Sequence, residues 1–131
     1  MKKNLKCIML IDDNFDDNFF HEREIKKANP QNTVIVNDSG AKALDYLKAN
    51  RDPHSDLIML DINMPGMNGW EFLRAYKALD DNLKCEAVVI MLTTSDNADD
   101  RAKLAEFPFV TAYITKPLTK EKMDVIRNSY F

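Results

Sequence analysis

Residues 57–61 read Leu-Ile-Met-Leu-Asp, an unbroken apolar run that ends in a carboxylate. Apolar runs without polar alternation are typical of strands that helices cover on both faces, and such strands belong mainly to parallel sheets. Four more runs of this kind occur along the chain. Together the five are Cys7–Ile11, Thr33–Val36, Leu57–Leu60, Ala87–Leu92 and Val110–Ile114.

Segments with helical spacing of apolar residues separate the runs. In the last segment, Met123, Ile126 and Tyr130 recur at intervals that place them on one helical face. Capping residues mark the expected helix starts, at Ser39, Asn68, Ser95 with Asp96, and Thr119. The 131 residues therefore predict an α/β fold, a doubly wound five-stranded parallel sheet in one domain covering residues 1–131.

Two of the five expected helices have weak packing stripes. The first, from about Asn14 to Ala28, is interrupted by acidic residues, and its apolar candidates are Phe15, Phe19, Phe20 and Ile25. The fourth offers only small residues and one leucine, namely Ala98, Ala102, Leu104 and Ala105. We expect the fourth helix to be held loosely, because little apolar surface is available to bury.

Composition excludes several classes of protein. The chain has 18 basic and 21 acidic residues, and this mildly acidic balance gives no reason to expect nucleic acid or an anionic membrane as a partner. The first apolar run is too short for a secretory signal, and no stretch approaches the roughly 20 residues of a membrane span. Cys7 and Cys85 form no CxxC motif, so we expect a cytoplasmic protein whose Cys7 is a buried thiol.

Polar residues suited to phosphate or metal chemistry follow four of the five apolar runs. Asp12 and Asp13 follow the first run and Asp61 follows the third, while Thr93 and Lys116 end the fourth and fifth. Ligands of open α/β sheets bind beyond the carboxyl ends of the strands. These five side chains are therefore expected to converge on one site.

Crowded carboxylates indicate a cation at this site. If the first and third strands are neighbours, about 4.8 Å apart, Asp61 lies close to Asp12 and Asp13. Two carboxylates at ~5 Å repel by roughly 3 kcal/mol at an effective dielectric near 20. Mg²⁺ fits this set, because it commonly takes one or two carboxylates together with phosphate oxygens. Lys116 would hold a phosphoryl oxygen and Thr93 would offer its hydroxyl to another.

Four motifs carry a resemblance to a known family. They are residues 10–14 (Leu-Ile-Asp-Asp-Asn), 57–69 (from Leu-Ile-Met-Leu-Asp to Gly-Met-Asn-Gly), 91–95 (Met-Leu-Thr-Thr-Ser) and 113–117 (Tyr-Ile-Thr-Lys-Pro). In this order and spacing they resemble the receiver domains of bacterial response regulators, over essentially the whole chain. The resemblance implies the flavodoxin-like strand order 2-1-3-4-5 of the chemotaxis receiver.

The resemblance also implies a role for each matching acidic residue. Asp61 would be the phosphoacceptor of a two-component phosphorelay. Asp13 and Asp61 would bind Mg²⁺ directly, with the backbone carbonyl of Asn63 as a further ligand, and Asp12 would act largely through water.

The same resemblance implies a switch. Lys116 would pair with the phosphoryl group, and the Lys116–Pro117 bond resembles the cis peptide of the family. Thr93 would turn toward the phosphoryl group and Tyr113 would move inward. This movement would reshape the face made by the fourth helix, the fifth strand and the fifth helix.

The implied partners are proteins. The phosphodonor would be a sensor histidine kinase or a histidine phosphotransfer protein, and the output would go to a downstream protein target, without an output domain in this chain. We expect a monomer or a weak homodimer with slow self-catalysed dephosphorylation, and so no enzyme in the usual sense.

Two other functions compete with this interpretation. A phosphatase of the haloacid-dehalogenase type also uses an aspartate nucleophile with Mg²⁺, but it carries a DxD pattern on its first strand, whereas Asp12 and Asp13 are adjacent and Asp61 lies elsewhere. A binding module that never uses its phosphorylation site would not need the complete set of site residues.

Several residues match no position of the family pattern. His21 and His54 are expected at the surface, and Trp70 is expected to pack at the start of the third helix. The acidic residues of the first helix, Asp16, Asp17 and Glu24, either influence the choice of partner or belong to a solvated surface.

Overall fold

The computed structural model describes residues 4–84, 86–94 and 97–131, and its five strands form a single parallel sheet. The strands are β1 (Cys7–Ile11), β2 (Thr33–Asn37), β3 (Leu57–Leu60), β4 (Val88–Thr93) and β5 (Val110–Thr115). Their order is β2-β1-β3-β4-β5. The predicted fold class and strand order are therefore confirmed.

Helices connect the strands. They are α1 (Phe15–Ala28), α2 (Gly40–Lys48), α3 (Gly69–Lys77), α4 (Asp81–Lys84), α5 (Ala98–Lys103) and α6 (Lys120–Tyr130), with a 3-10 helix at Leu104–Glu106. The predicted caps Ser39, Asn68 and Thr119 are confirmed, because each side chain accepts a hydrogen bond from the backbone three residues later. No helix in the described ranges has the length and apolarity to cross a membrane.

Two helix predictions need correction. The short helix α4 was not expected, since four residues carry no periodic signal, and the fourth and fifth predicted helices are consequently α5 and α6. The start of α5 was expected at Ser95 and Asp96, which lie outside the described residues, as does Cys85. Asn97 caps this helix instead, and its Oδ1 accepts a hydrogen bond from the Asp100 backbone at 2.7 Å.

The sheet is buried on both faces, as its unbroken apolar strands require. One core layer packs against α2 and α3 and includes Met9, Ile11, Ile58, Leu60, Phe72 and Met91. The other packs against α1 and α6 and includes Ile8, Leu10, Ile25, Leu57, Met59 and Met123. Alternate residues of one strand thus belong to opposite layers. Cys7 is a free buried thiol in β1, as predicted.

Helix α1 turns a different face to the core from the one predicted. Phe15 is 78% exposed and Phe19 is 63% exposed, so these phenylalanines do not form the packing stripe. The buried residues of α1 are Asn18, His21, Glu24 and Ile25. Their spacing of three or four places them on one helical face. The prediction is confirmed for Ile25, and it failed for Phe15 and Phe19 because it selected the helix face by apolarity alone.

The polar residues on this inner face have structural partners. The Asn18 amide donates to the Asp12 carbonyl at 2.8 Å. Glu24 accepts from the Lys120 backbone at 3.1 Å, which ties α1 to the start of α6. His21 is 2% exposed, so its predicted surface position is wrong. Burial lowers the pKa of the His21 imidazole below its ordinary value, and the charge of Lys116 adds to the shift. His54 is exposed, as expected.

The first turn of α3 fixes the loop that follows β3. The Gly69 backbone donates to the Ile62 carbonyl at 2.8 Å. A Cβ at Gly69 would lie only 2.6 Å from the Asp61 carbonyl oxygen, so a larger residue would push this loop away. Trp70 is 4% exposed and stacks on Phe107, which confirms its predicted packing at the start of the third helix.

Candidate functional site

The carboxyl ends of four strands converge, as the sequence predicts. The Asp61 backbone donates to the Ile11 carbonyl at 3.0 Å, which sets the end of β3 beside the end of β1. The Lys116 backbone donates to the Thr93 carbonyl at 2.9 Å, which joins β5 to β4 in the same way. Residues that follow different strands therefore meet at one edge of the sheet.

Three carboxylates form a cluster at this edge. Asp12, Asp13 and Asp61 each offer an oxygen atom, and these atoms all lie within 4.8 Å of one another. Asp12 and Asp61 are buried, with 4% and 6% of their surface exposed, whereas Asp13 is exposed to solvent. The cluster is thus sheltered on the protein side and accessible on the Asp13 side. Asn63 is exposed in the loop that follows Asp61.

The Lys116 ammonium offsets part of the negative charge of this cluster. Its Nζ lies 2.6 Å from Asp12 Oδ2, 2.9 Å from Asp17 Oδ2 and 3.7 Å from Asp61 Oδ2. At the first two distances Lys116 donates hydrogen bonds. The third distance is too long for a hydrogen bond, so Lys116 and Asp61 form an ion pair only. Lys116 therefore lies nearer to Asp12 and Asp17 than to the predicted acceptor.

The pKa values at the site reflect burial and charge together. Burial raises the pKa of the Asp61 carboxyl, the Lys116 ammonium opposes this shift, the charge of Asp12 adds to it, and a hydrogen bond with Thr93 opposes it. Burial alone would lower the pKa of Lys116, but its hydrogen bonds to Asp12 and Asp17 and the charge of Asp61 raise it above the ordinary value. Lys116 therefore remains a cation.

The loop after β1 holds Asp12 in place. Its Oδ1 accepts from the Asn14 backbone at 3.0 Å, and Asn14 in turn caps α1 by accepting from the Asp17 backbone at 2.9 Å. The helix cap therefore also orients the carboxylate that binds Lys116.

The loop after β5 is fixed by a different lysine. The Lys116–Pro117 peptide bond is cis, as expected, and Asp52–Pro53 is a second cis bond that the sequence analysis did not predict. The Lys122 ammonium donates to the carbonyls of Thr115 and Pro117, both at 2.8 Å. The first turn of α6 thus holds the backbone on either side of Lys116.

Most of the predicted site residues come together. Thr93 is fully buried beside Asp61. Tyr113 lies along β5, half-buried, with the Arg101 guanidinium 4.6 Å from its ring centre. Asp17 was not predicted as a partner of Lys116. Its position in the first turn of α1, four residues after Asp13, was the available signal.

The chain matches a known protein family over most of its length. The family model of the response regulator receiver domain matches residues 8–126. The chain belongs to this family. The match includes Asp12, Asp13, Asp61, Thr93 and Lys116.

Relatives of this receiver domain come from several organisms. Response regulator Rcp1 of Synechocystis sp. is 31% identical over 115 residues, which cover 85% of this chain and 76% of Rcp1. The chemotaxis protein CheY of Pseudomonas aeruginosa is 37% identical over 93 residues, which cover 68% of this chain and 70% of CheY. A solved two-component response regulator from Cytophaga hutchinsonii has a TM-score of 0.85 at 28% identity, with 98% of each chain covered.

The donor set of the receiver domain fits a hard divalent cation. All three clustered groups are carboxylates, and their oxygens lie close enough to share one ion. Oxygen ligands are those that Mg²⁺ and Ca²⁺ prefer in proteins. Lys116 offsets part of the repulsion among the carboxylates, so the cluster is less strained without metal than the isolated charges imply.

Removal of one clustered charge tests this description. Asp13→Ala is expected to raise the metal-free free energy of unfolding by roughly 0.5–1 kcal/mol, because it relieves repulsion at an exposed position. The variant should also lose most of the stabilisation by Mg²⁺, which for a single site is about 2.7 kcal/mol at 100 times Kd.

Thermal unfolding with and without Mg²⁺ measures both effects. Asp16→Ala is the matched control, since Asp16 is exposed and lies outside the cluster. A variant Asp13→Ala that gains no stability without metal, or that keeps the full Mg²⁺ effect, would contradict the description.

Proposed function

We propose that this receiver domain accepts a phosphoryl group on Asp61 from the phosphohistidine of a sensor histidine kinase or a histidine phosphotransfer protein. The observation that carries the proposal is the environment of Asp61. Its carboxylate is buried beside two further carboxylates, with the Lys116 ammonium 3.7 Å away and a hydrogen bond to Thr93. This environment supports the proposal, because phosphoryl transfer to a carboxylate requires positioning and neutralisation of the surrounding charge.

The reaction is a displacement at phosphorus. A carboxylate oxygen of Asp61 forms the new O–P bond while the N–P bond of the phosphoimidazole breaks. The imidazole nitrogen keeps the electron pair and takes a proton from solvent. Lys116 and Thr93 contribute by binding phosphoryl oxygens, because this chemistry depends on positioning and charge more than on a protein base.

The proposed metal ion is Mg²⁺. Asp13 and Asp61 would hold it directly with the Asn63 carbonyl, and Asp12 would act through water. When bound, it neutralises charge on the carboxylates and on the phosphoryl oxygens.

The proposed output is a switch rather than repeated turnover of a substrate. Helix α5 has no buried residue, so it is a weakly held element next to Tyr113. Tyr113 shares a groove with Val125 and Tyr130 of α6. We propose that inward movement of Tyr113 changes this α5–β5–α6 face for a downstream protein, with the chain a monomer or a weak homodimer. The cytoplasm is the proposed compartment, consistent with the free thiol of Cys7.

Labelling with acetyl phosphate tests the acceptor. Wild-type protein with Mg²⁺ is expected to take up about one phosphoryl group per chain, whereas Asp61→Asn and wild type with EDTA should take up almost none, because the nucleophile or the charge neutralisation is missing. Intact mass and acid-gel autoradiography measure the label.

The same preparation separates the proposal from a phosphatase. Asp56→Asn is a matched control, since Asp56 binds the backbone of Lys6 and Cys7 and lies away from the site. Label that persists in Asp61→Asn would refute the acceptor. Rapid turnover of p-nitrophenyl phosphate by the wild type would favour the phosphatase.

The exposed phenylalanines suggest where the donor protein binds. Phe15, Phe19 and Val36 line one groove together with Asp13, the accessible member of the cluster. A protein that presents a phosphohistidine to Asp61 must approach from this side and would cover these apolar side chains. The floor of the groove includes Asn18, whose Oδ1 is buried and has no partner among the described residues. We propose an apolar helical face around the phosphohistidine as the occupant.

Substitution of Phe19 tests the groove. Phe19→Ser is expected to slow phosphotransfer from a histidine kinase that labels the wild type by roughly tenfold, which corresponds to about 1.4 kcal/mol of lost contact. Labelling by acetyl phosphate should not change, because a small donor needs no groove.

Val125→Ser is the matched control for this experiment. Val125 is also 63% exposed, but it lies on α6 in the groove that it shares with Tyr113. Its substitution should therefore leave phosphotransfer intact. If phosphotransfer slows equally in Phe19→Ser and Val125→Ser, or in neither, the groove lined by Phe15, Phe19 and Val36 is not the docking surface.

A further inference from the structure

The side chain of Asp17 occupies a position that the family pattern does not explain. Its Oδ2 accepts a hydrogen bond from the Lys116 ammonium at 2.9 Å. Lys116 is well buried, with 9% of its side chain exposed, whereas Asp17 is 38% exposed. The acceptor Asp61 is farther from the ammonium than Asp17 is.

We propose that Asp17 is a positioning residue that holds the Lys116 ammonium on the α1 side of the site and competes for it with the phosphoryl group. The inference rests on the proposed function and adds a residue that regulates the same site. In this arrangement Asp17 weakens the phosphorylated state relative to a receiver that lacks this carboxylate.

The hydrogen-bond geometry supports this competition. A lysine ammonium has three N–H donors, and two of them are directed to Asp12 and Asp17. The distance of 3.7 Å to Asp61 is too long for a hydrogen bond. One N–H is left for a phosphoryl oxygen on Asp61, and the hydrogen bond to Asp17 opposes any movement of the ammonium toward that oxygen.

Charge supports the competition as well. The carboxylates close enough to share a cation are Asp12, Asp13 and Asp61, and Asp17 is not among them. The negative charge of Asp17 therefore acts on Lys116 and not on a shared cation. It partly cancels the single positive charge of Lys116. A phosphoryl group is an anion, so this cancellation weakens its attraction to Lys116.

The fold directs Asp17 rather than its neighbour toward Lys116. Asn14 caps α1 through the Asp17 backbone, which places Asp17 in the first helical turn. Asp16 lies in the same turn and carries the same charge, but it is exposed and has no ion pair within the described parts of the chain. The two residues thus form a matched pair, of which one contacts Lys116.

Binding of beryllofluoride, an analogue of the phosphoryl group, tests the inference. At saturating Mg²⁺, Asp17→Asn is expected to bind beryllofluoride roughly two- to fivefold more tightly than wild type, a modest change because Asp17 is partly exposed to solvent. Asp16→Asn should bind as the wild type does. Isothermal titration calorimetry of the full chain measures all three affinities.

Each outcome decides the inference. Tighter binding in Asp17→Asn alone, without a gain in metal-free stability by thermal unfolding, supports it. Weaker binding together with lower stability would indicate a purely structural role, and equal changes in both variants would indicate only the net charge. Either result, or no change in Asp17→Asn, would overturn the inference while leaving the proposed function in place. A wild type that binds no beryllofluoride would overturn both.

Discussion

The pairing of β1 with β3 brings two buried carboxylates to the same edge of the sheet. Because the Asp61 backbone is hydrogen-bonded to Ile11, Asp61 cannot move away from Asp12 without breaking the sheet. Both carboxylates are removed from water, and separation from water disfavours their charged forms. The Lys116 ammonium lowers the energetic cost of burying the two carboxylates, and the hydrogen bonds of the sheet hold them in position.

The elements around the site hold these carboxylates and Lys116 in position. Gly69 allows α3 to approach the Asp61 backbone, the cap of α1 orients Asp12, and Lys122 fixes the loop on either side of Lys116. Helix α5 is much less restrained than these elements, since it buries no side chain. Rigid support at the carboxylates and weak support at α5 are the two features that the proposed phosphorylation and switch require.

The sequence predicted those features that depend on strand ends. Apolar runs such as Leu57–Leu60 located the strands, and polar residues directly after them located the site. The inner face of α1 was not predictable in this way. Glu24 is buried there because it contacts α6, and His21 is buried close to the charges of the site. Such proximity between distant segments leaves no periodic pattern. The same limitation concealed Asp17, whose partner Lys116 lies 99 positions along the chain.

A crystal structure of the protein with Mg²⁺ and beryllofluoride would test whether Asp61 is the phosphoacceptor and a metal ligand. We expect one metal ion contacted by Asp13 and Asp61, the beryllofluoride on the Asp61 carboxylate, and the Lys116 ammonium within hydrogen-bonding distance of a fluorine atom. An ion bound away from Asp13 and Asp61, or an adduct on another carboxylate, would contradict it.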